Sequence, residues 1–130
     1  MLVVDVANVM GSRPDGWWRD RAGAATRLLA ELAPLAGVEV RSPDGVPLLV
    51  FRVLAVIEGH ARGAQAPEGV EAVRATADGD STVRALATDL DAAGELVLVV
   101  TADRALRASL PPAALVAGPR WLLEGPSVRG

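Results

Sequence analysis

Five acidic residues, Asp5, Glu58, Asp78, Asp80 and Asp103, fall where they could share one chemical task. Asp5 lies inside the apolar run Leu2-Val3-Val4-Asp5-Val6, and Glu58 closes the stretch Leu48 to Ile57. Asp78 and Asp80 separate Val70–Ala75 from an amphipathic segment. Asp103 follows Leu96–Val100 through Thr101-Ala102. Carboxylates gathered at one place repel and raise one another's pKa, and a divalent cation removes that cost. An all-oxygen set completed by water suits Mg²⁺ or Mn²⁺ rather than zinc. Two such ions about 4 Å apart activate a water and stabilise the leaving oxygen of a phosphodiester. The expected ligands are Asp5, Asp80 and Asp103, with Glu58 beside them. Asn8 and Thr101 are neutral groups suited to orienting a water or a phosphate. The plainer alternative is that an Asp after a strand is a turn residue or helix cap, and Asp78 is read that way. Asp5 argues against that alternative most directly, because a carboxylate on an apolar strand is costly to bury without compensation.

Composition removes competing chemistries. There is no cysteine, so disulfides and thiolate zinc sites are excluded. The only histidine is His60, read as a loop residue outside catalysis; a histidine-rich metal site is excluded. All 13 basic residues are Arg, which excludes a Schiff-base lysine and a P-loop. A haloacid-dehalogenase-type phosphatase needs a second Asp two positions after the first, where Ala7 stands, and also a Lys. A receiver-domain acidic pocket likewise relies on a Lys. A Nudix pyrophosphohydrolase needs a Glu-rich helix that is absent. The net charge of −3 does not by itself suggest a nucleic-acid binder. With four acids committed to a metal, however, 13 Arg stand against 12 remaining acids.

The elements that must position these acids follow from periodicity. Length suits one domain over residues 1–130. Strands are expected at Leu2–Val6, most of Leu48–Ile57, Val70–Ala75 near the sheet edge, Leu96–Val100, and a short edge segment at Leu115–Gly118. Helices are expected from Arg21 to Ala33, from about Asp80 to Gly94, and from Arg104 to Leu110, with loops at Gly11–Gly16 and Arg62–Gly69. Trp121-Leu122-Leu123 is expected to pack behind the last strand. Strands alternating with helices imply a three-layer α/β/α fold with a mostly parallel four- to five-stranded sheet. The expected strand order is near 3-2-1-4-5. Ligands bind such sheets at the carboxyl ends of the strands, where the order reverses, and four chain segments deliver a carboxylate to that edge. The start of the chain shows no basic segment or cleavage site, and no apolar run reaches the ~20 residues of a membrane helix. A cytoplasmic protein without membrane contact is the expectation.

The segment leaving the first strand carries Arg13, Arg19 and Arg21 around Trp17 and Trp18. Arginine neutralises phosphates and indoles stack unpaired bases, so this loop is a candidate guide for RNA or another single-stranded nucleic acid. The alternative is that the rings pack on the domain or on a second copy in a homodimer, since aromatic and Arg residues are enriched at interfaces. Adjacent residues rarely face the same way, so one Trp is expected buried and one exposed.

Val4-Asp5-Val6-Ala7-Asn8-Val9 resembles the opening "D-G-x-N" strand of NYN domains in the PIN-like nuclease superfamily. Asp80 at a helix start and Thr101-Ala102-Asp103 after a strand resemble that family's second and third acidic motifs. The stretch Gly11 to Ala24 is similar to a small actinobacterial NYN-like subgroup, some of whose members are named NTP pyrophosphohydrolases. The resemblance spans essentially the whole chain. It implies a sheet flanked by helices, a divalent metal, and hydrolysis of RNA or single-stranded nucleic acid. The roles it implies fall on Asp5, Asn8, Asp80 and Asp103, and more loosely on Glu58. Val6 stands where the family has a small Gly. Ser81, a candidate substrate contact beside Thr101, stands where a second Asp often follows, which implies a weaker second metal site.

Overall fold

In a computed structural model describing residues 1–14 and 16–125, the apolar runs become strands and the amphipathic stretches helices. Asp15 of the Gly11–Gly16 loop and the side chain of His60 lie outside the described residues. The chain order is β1 (Leu2–Asp5), α1 (Val6–Gly11), α2 (Arg21–Leu32), β2 (Glu39–Arg41), β3 (Pro47–Leu49), β4 (Val53–Ile57), β5 (Val70–Arg74), α3 (Gly79–Ala92), β6 (Leu98–Val100), α4 (Arg104–Ala108), β7 (Leu115–Ala117) and α5 (Pro119–Leu123). The main sheet has the order β5-β4-β1-β6-β7, and every neighbouring pair is parallel. Numbering only its strands, this is 3-2-1-4-5, as the alternation predicts. The order reverses between β1 and β6, so the crevice of such a sheet opens where Asp5 ends one strand and Thr101 follows the other.

Side-chain alternation along the strands divides the core between the two faces. Leu2, Val4, Ala55, Ile57, Leu98 and Val100 meet Ala25, Leu28, Leu29 and Leu32 of α2 on one face. Val3, Leu54, Val56 and Val99 meet Val83 and Ala87 of α3 and Leu106 of α4 on the other. Strand β4 is buried at all five positions, as a central strand covered on both faces must be.

Two expectations are corrected. The apolar stretch from Leu48 to Ile57 is not one strand. Its first part pairs antiparallel with β2 in a separate hairpin, and only Val53–Ile57 joins the main sheet. In that first part Leu48 and Val50 face inward while Leu49 and Phe51 face solvent, so the true alternation is hidden because all four are apolar. The first strand ends at Asp5, not Val6, and α1 begins at once. The switch is forced by Asp5, which caps that helix.

The two-faced core predicts a sharp contrast between two leucines. Leu29→Ala, at a fully buried position, costs about 2–5 kcal/mol in denaturant unfolding. Leu49→Ala, at a position 60% exposed, changes stability by about 0.5 kcal/mol or less.

Candidate functional site

Each acid at the carboxyl edge is held by a local rule. Asp5 is the N-cap of α1 and accepts the Asn8 N–H at 3.4 Å. Asp103 is the N-cap of α4, accepting the Leu106 N–H at 2.9 Å. Asp78 caps α3, taking both the N–H and the hydroxyl of Ser81, at 2.7 and 3.2 Å. The plain expectation of a capping role is therefore true of three acids. It does not describe Asp80. That residue sits in the first turn of α3 with no cap to make, and burial, with the neighbouring charge of Asp103, pushes its carboxyl above the ordinary range.

Thr101 ties the edge together. It is fully buried, donates its hydroxyl to Asp5 Oδ2 at 2.9 Å, and accepts the Asp103 N–H at 3.2 Å. One hydroxyl thus holds the Asp5 carboxylate and the backbone of Asp103, two residues that arrive at the ends of different strands. Asn8 adds a second brace, its Oδ1 accepting the Ala102 N–H at 2.8 Å. Arg107, which sequence reasoning missed, donates Nε to the Thr101 carbonyl at 2.8 Å. Its spacing of four from Asp103 puts it one helical turn on, which is the signal that would have found it.

Glu58 reaches the same edge from the end of β4. Its Oε2 accepts the Gly79 N–H at 2.6 Å, at the start of α3. A Cβ at position 79 would lie 2.9 Å from Glu58 Oε1 and 3.0 Å from its carboxyl carbon. A larger residue at position 79 would push the Glu58 carboxylate aside, so glycine lets the helix start approach it as it stands.

Electrostatics mark Asp5 and Asp80 as strained. Burial pushes the Asp5 carboxyl above its ordinary range. The Thr101 and Asn8 hydrogen bonds offset part of this, and the charges of Asp80 and Glu58 add to it. Asp80 is also raised, by burial first and then by Asp103, Glu58 and Asp78. The edge is therefore a nest of like charges with no cation of the chain in salt-bridge contact with it among the described residues.

A hard divalent cation fits this donor set. Among the described residues no three acidic or histidine side chains stand at the spacing of a complete protein ligand set. Mg²⁺ does not need one: it is commonly held by one or two carboxylates, with waters and substrate phosphates completing the shell. Asp80 and Asp103 are the acids that would supply such a pair.

Not every expected residue is free to meet a substrate. Thr101 is buried and cannot touch a substrate. The Ser81 hydroxyl is spent on Asp78. Arg13 is ion-paired to Glu31 on α2. Arg19 lies over Trp18, 5.8 Å from the ring centroid, and Arg21 over Trp17 at 5.5 Å. Trp18 is 55% exposed, while Trp17 is half-buried and packs partly against the core, so the expected division of one buried and one exposed ring holds only in part.

With that geometry described, comparison with known proteins is informative. No family model and no curated protein sequence matches the chain. Solved structures do, and the fold they share is PIN/NYN-like. The chain is similar to Rae1 (YacP) from Bacillus subtilis, with a TM-score of 0.67 at 21% identity, over 95% of this chain and 71% of that one. The W164L mutant of the same protein gives a TM-score of 0.66 at 21% identity, over 95% and 72% of the two chains. The likeness is one of fold. Among the described residues no helix is long and apolar enough to cross a membrane.

The raised carboxyls predict a specific pH dependence. An acid whose pKa is higher in the folded state keeps its proton there after the unfolded chain has lost it, so stability falls as pH rises through that interval. Asp80→Asn removes the penalty. Without divalent metal, its Tm should exceed that of the unmodified protein by a few degrees at neutral pH. The difference should vanish below the ordinary aspartate range, as measured by calorimetry across pH.

Proposed function

We propose that this domain is a divalent-metal-dependent nuclease of NYN type in the PIN-like superfamily, akin to the small actinobacterial subgroup. It would hydrolyse phosphodiester bonds of RNA or single-stranded nucleic acid. The observation that carries the reading is Asp80. Its carboxyl has no capping role, yet it stands where the charges of Asp103, Glu58 and Asp78 raise the cost of ionising it. Such crowding of like charge costs stability, and a cation bound there would remove the cost.

Asp80 and Asp103 are the residues that would hold Mg²⁺ or Mn²⁺, with Asp5 and Glu58 able to ligate through water. Bound there, the ion supplies charge stabilisation for the phosphate and activation of a water near neutral pH. The chain's own groups do the rest. Asp5 Oδ2 is fixed by Thr101, which leaves Oδ1, held only by the long Asn8 contact, to orient or deprotonate the attacking water. Asn8 and Arg107 keep the Thr101–Asp103 turn in place. Glu58 fixes the start of α3 and so the position of Asp80.

A second reading is favoured by one observation. The described acids stop short of a complete three-ligand site, as in a domain of this fold that binds RNA or a protein without cleaving it.

Two measurements separate them. Millimolar Mn²⁺ should raise the Tm by mass action, worth about 2.7 kcal/mol when the ion is at a hundred times its Kd. Asp103→Asn should abolish that shift while the protein stays folded. Labelled single-stranded RNA should be cleaved with Mn²⁺ present, and cleavage should fall to background with chelator or with Asp5→Asn. Metal binding with the RNA intact would establish the binding module; no Tm shift at all would remove the metal site.

A further inference from the structure

Beside the acidic edge lies a cleft of about 310 Å³, lined among others by Ala7, Met10, Trp17, Arg21, Glu58 and Ala61. Its position is set by two of them. Ala7 lies in the first turn of α1, two residues after Asp5, and Glu58 belongs to the acidic edge itself. The volume is at the small end for a ligand site. Most of the named lining is apolar, which ill suits a phosphate or a ribose, whose polar atoms would be stripped of water without replacement.

One wall has the character of a stacking surface. Arg21 lies over the Trp17 ring. The ring itself is held edge-on to Trp18, with centroids 6.1 Å apart and planes at 88°, and it packs against the core. Indole rings and guanidinium planes are the surfaces on which unpaired bases stack. Glu58 gives Oε2 to Gly79 and, among the described residues, keeps Oε1 free of hydrogen bonds. A carboxylate oxygen so placed accepts an amino hydrogen from a base edge. Flat apolar faces and a polar edge describe a nucleobase, and a base inside a duplex would have to be extruded to enter.

We propose that this cleft takes one unpaired nucleobase, stacked on the Trp17–Arg21 wall, from the strand whose phosphate lies over Asp80 and Asp103. The placement of that phosphate rests on the nuclease reading; the base site rests on the cleft. Arg19 and Trp18 line an adjoining open surface with Asp20, which Arg21 also borders; Arg19 does not line the cleft, so it serves as an internal comparison.

The test is an abasic scan. A labelled single-stranded RNA is bound to the Asp103→Asn protein, and each nucleoside in turn is replaced by an abasic ribose. One position should weaken binding about tenfold or more, the size of a single base–aromatic stack. That penalty should disappear in Asp103→Asn proteins that also carry Trp17→Ala or Arg21→Ala. Trp17 also packs on the core, so Arg21→Ala, at an exposed side chain, keeps the test independent of folding. Arg19→Ala should weaken every oligonucleotide alike and flatten the salt dependence. Equal binding at all abasic positions, a penalty that survives Arg21→Ala, or an Arg21→Ala effect on oligomeric state alone would each overturn the proposal. The two readings fail separately. Unmodified protein that cleaves RNA but tolerates every abasic site is a nuclease without this base site. Protein that never cleaves but shows the abasic penalty has the base site without the nuclease.

Discussion

Like charge at the carboxyl edge is the constraint around which this domain is arranged. Asp5, Glu58, Asp80 and Asp103 come from four separate segments, and their charges raise the cost of ionising Asp5 and Asp80. The fold does not relieve that cost with an Arg or a Lys. It spreads the acids over helix starts, where backbone N–H groups stabilise them, and it anchors two of them on one buried hydroxyl. Thr101 joins residues 96 positions apart in the chain, so the geometry of the edge depends on the β1–β6 pairing being in register.

Helix capping and site construction are the same act here. Asp5 and Asp103 hold helices by their cap bonds, and those bonds in turn orient the carboxylates. Glu58 does the converse from a strand end, accepting the first N–H of α3 and so fixing where Asp80 begins. Gly79 permits that approach. The cap residues would be present in any stable version of this fold. Asp80 makes no cap bond; it lies in the first turn of α3, where the helix dipole favours an acid but the neighbouring carboxylates oppose its ionisation.

The legible parts of the fold were those with strong periodicity. Strand β6 and helices α2 and α3 are read directly, and with them the strand order, because five parallel strands leave few topologies open. Helix α1 was hidden by its own composition: Val6 and Val9 are β-branched, and a cap after a strand looks like one more strand residue. The β2–β3 hairpin was hidden by Leu49 and Phe51, apolar residues that face solvent and erase the alternation. At the site, residue types and order were enough to gather the acids. The roles of neutral residues were not, because they depend on long-range bonds. Thr101 has the chemistry of a phosphate contact but is fully enclosed. Ser81 is consumed by Asp78, and Arg13 by a glutamate 18 positions away.

The central claim is that Asp80 and Asp103 bind a divalent cation. A crystal grown with Mn²⁺, with data collected at the manganese absorption edge, tests it most directly. The account predicts an anomalous peak ligated by Asp80 and Asp103, with the two carboxyls separated to either side of the ion and Asp5 still held by Thr101. An edge with no peak, and with Asp80 and Asp103 uncoordinated at that Mn²⁺ concentration, would contradict it.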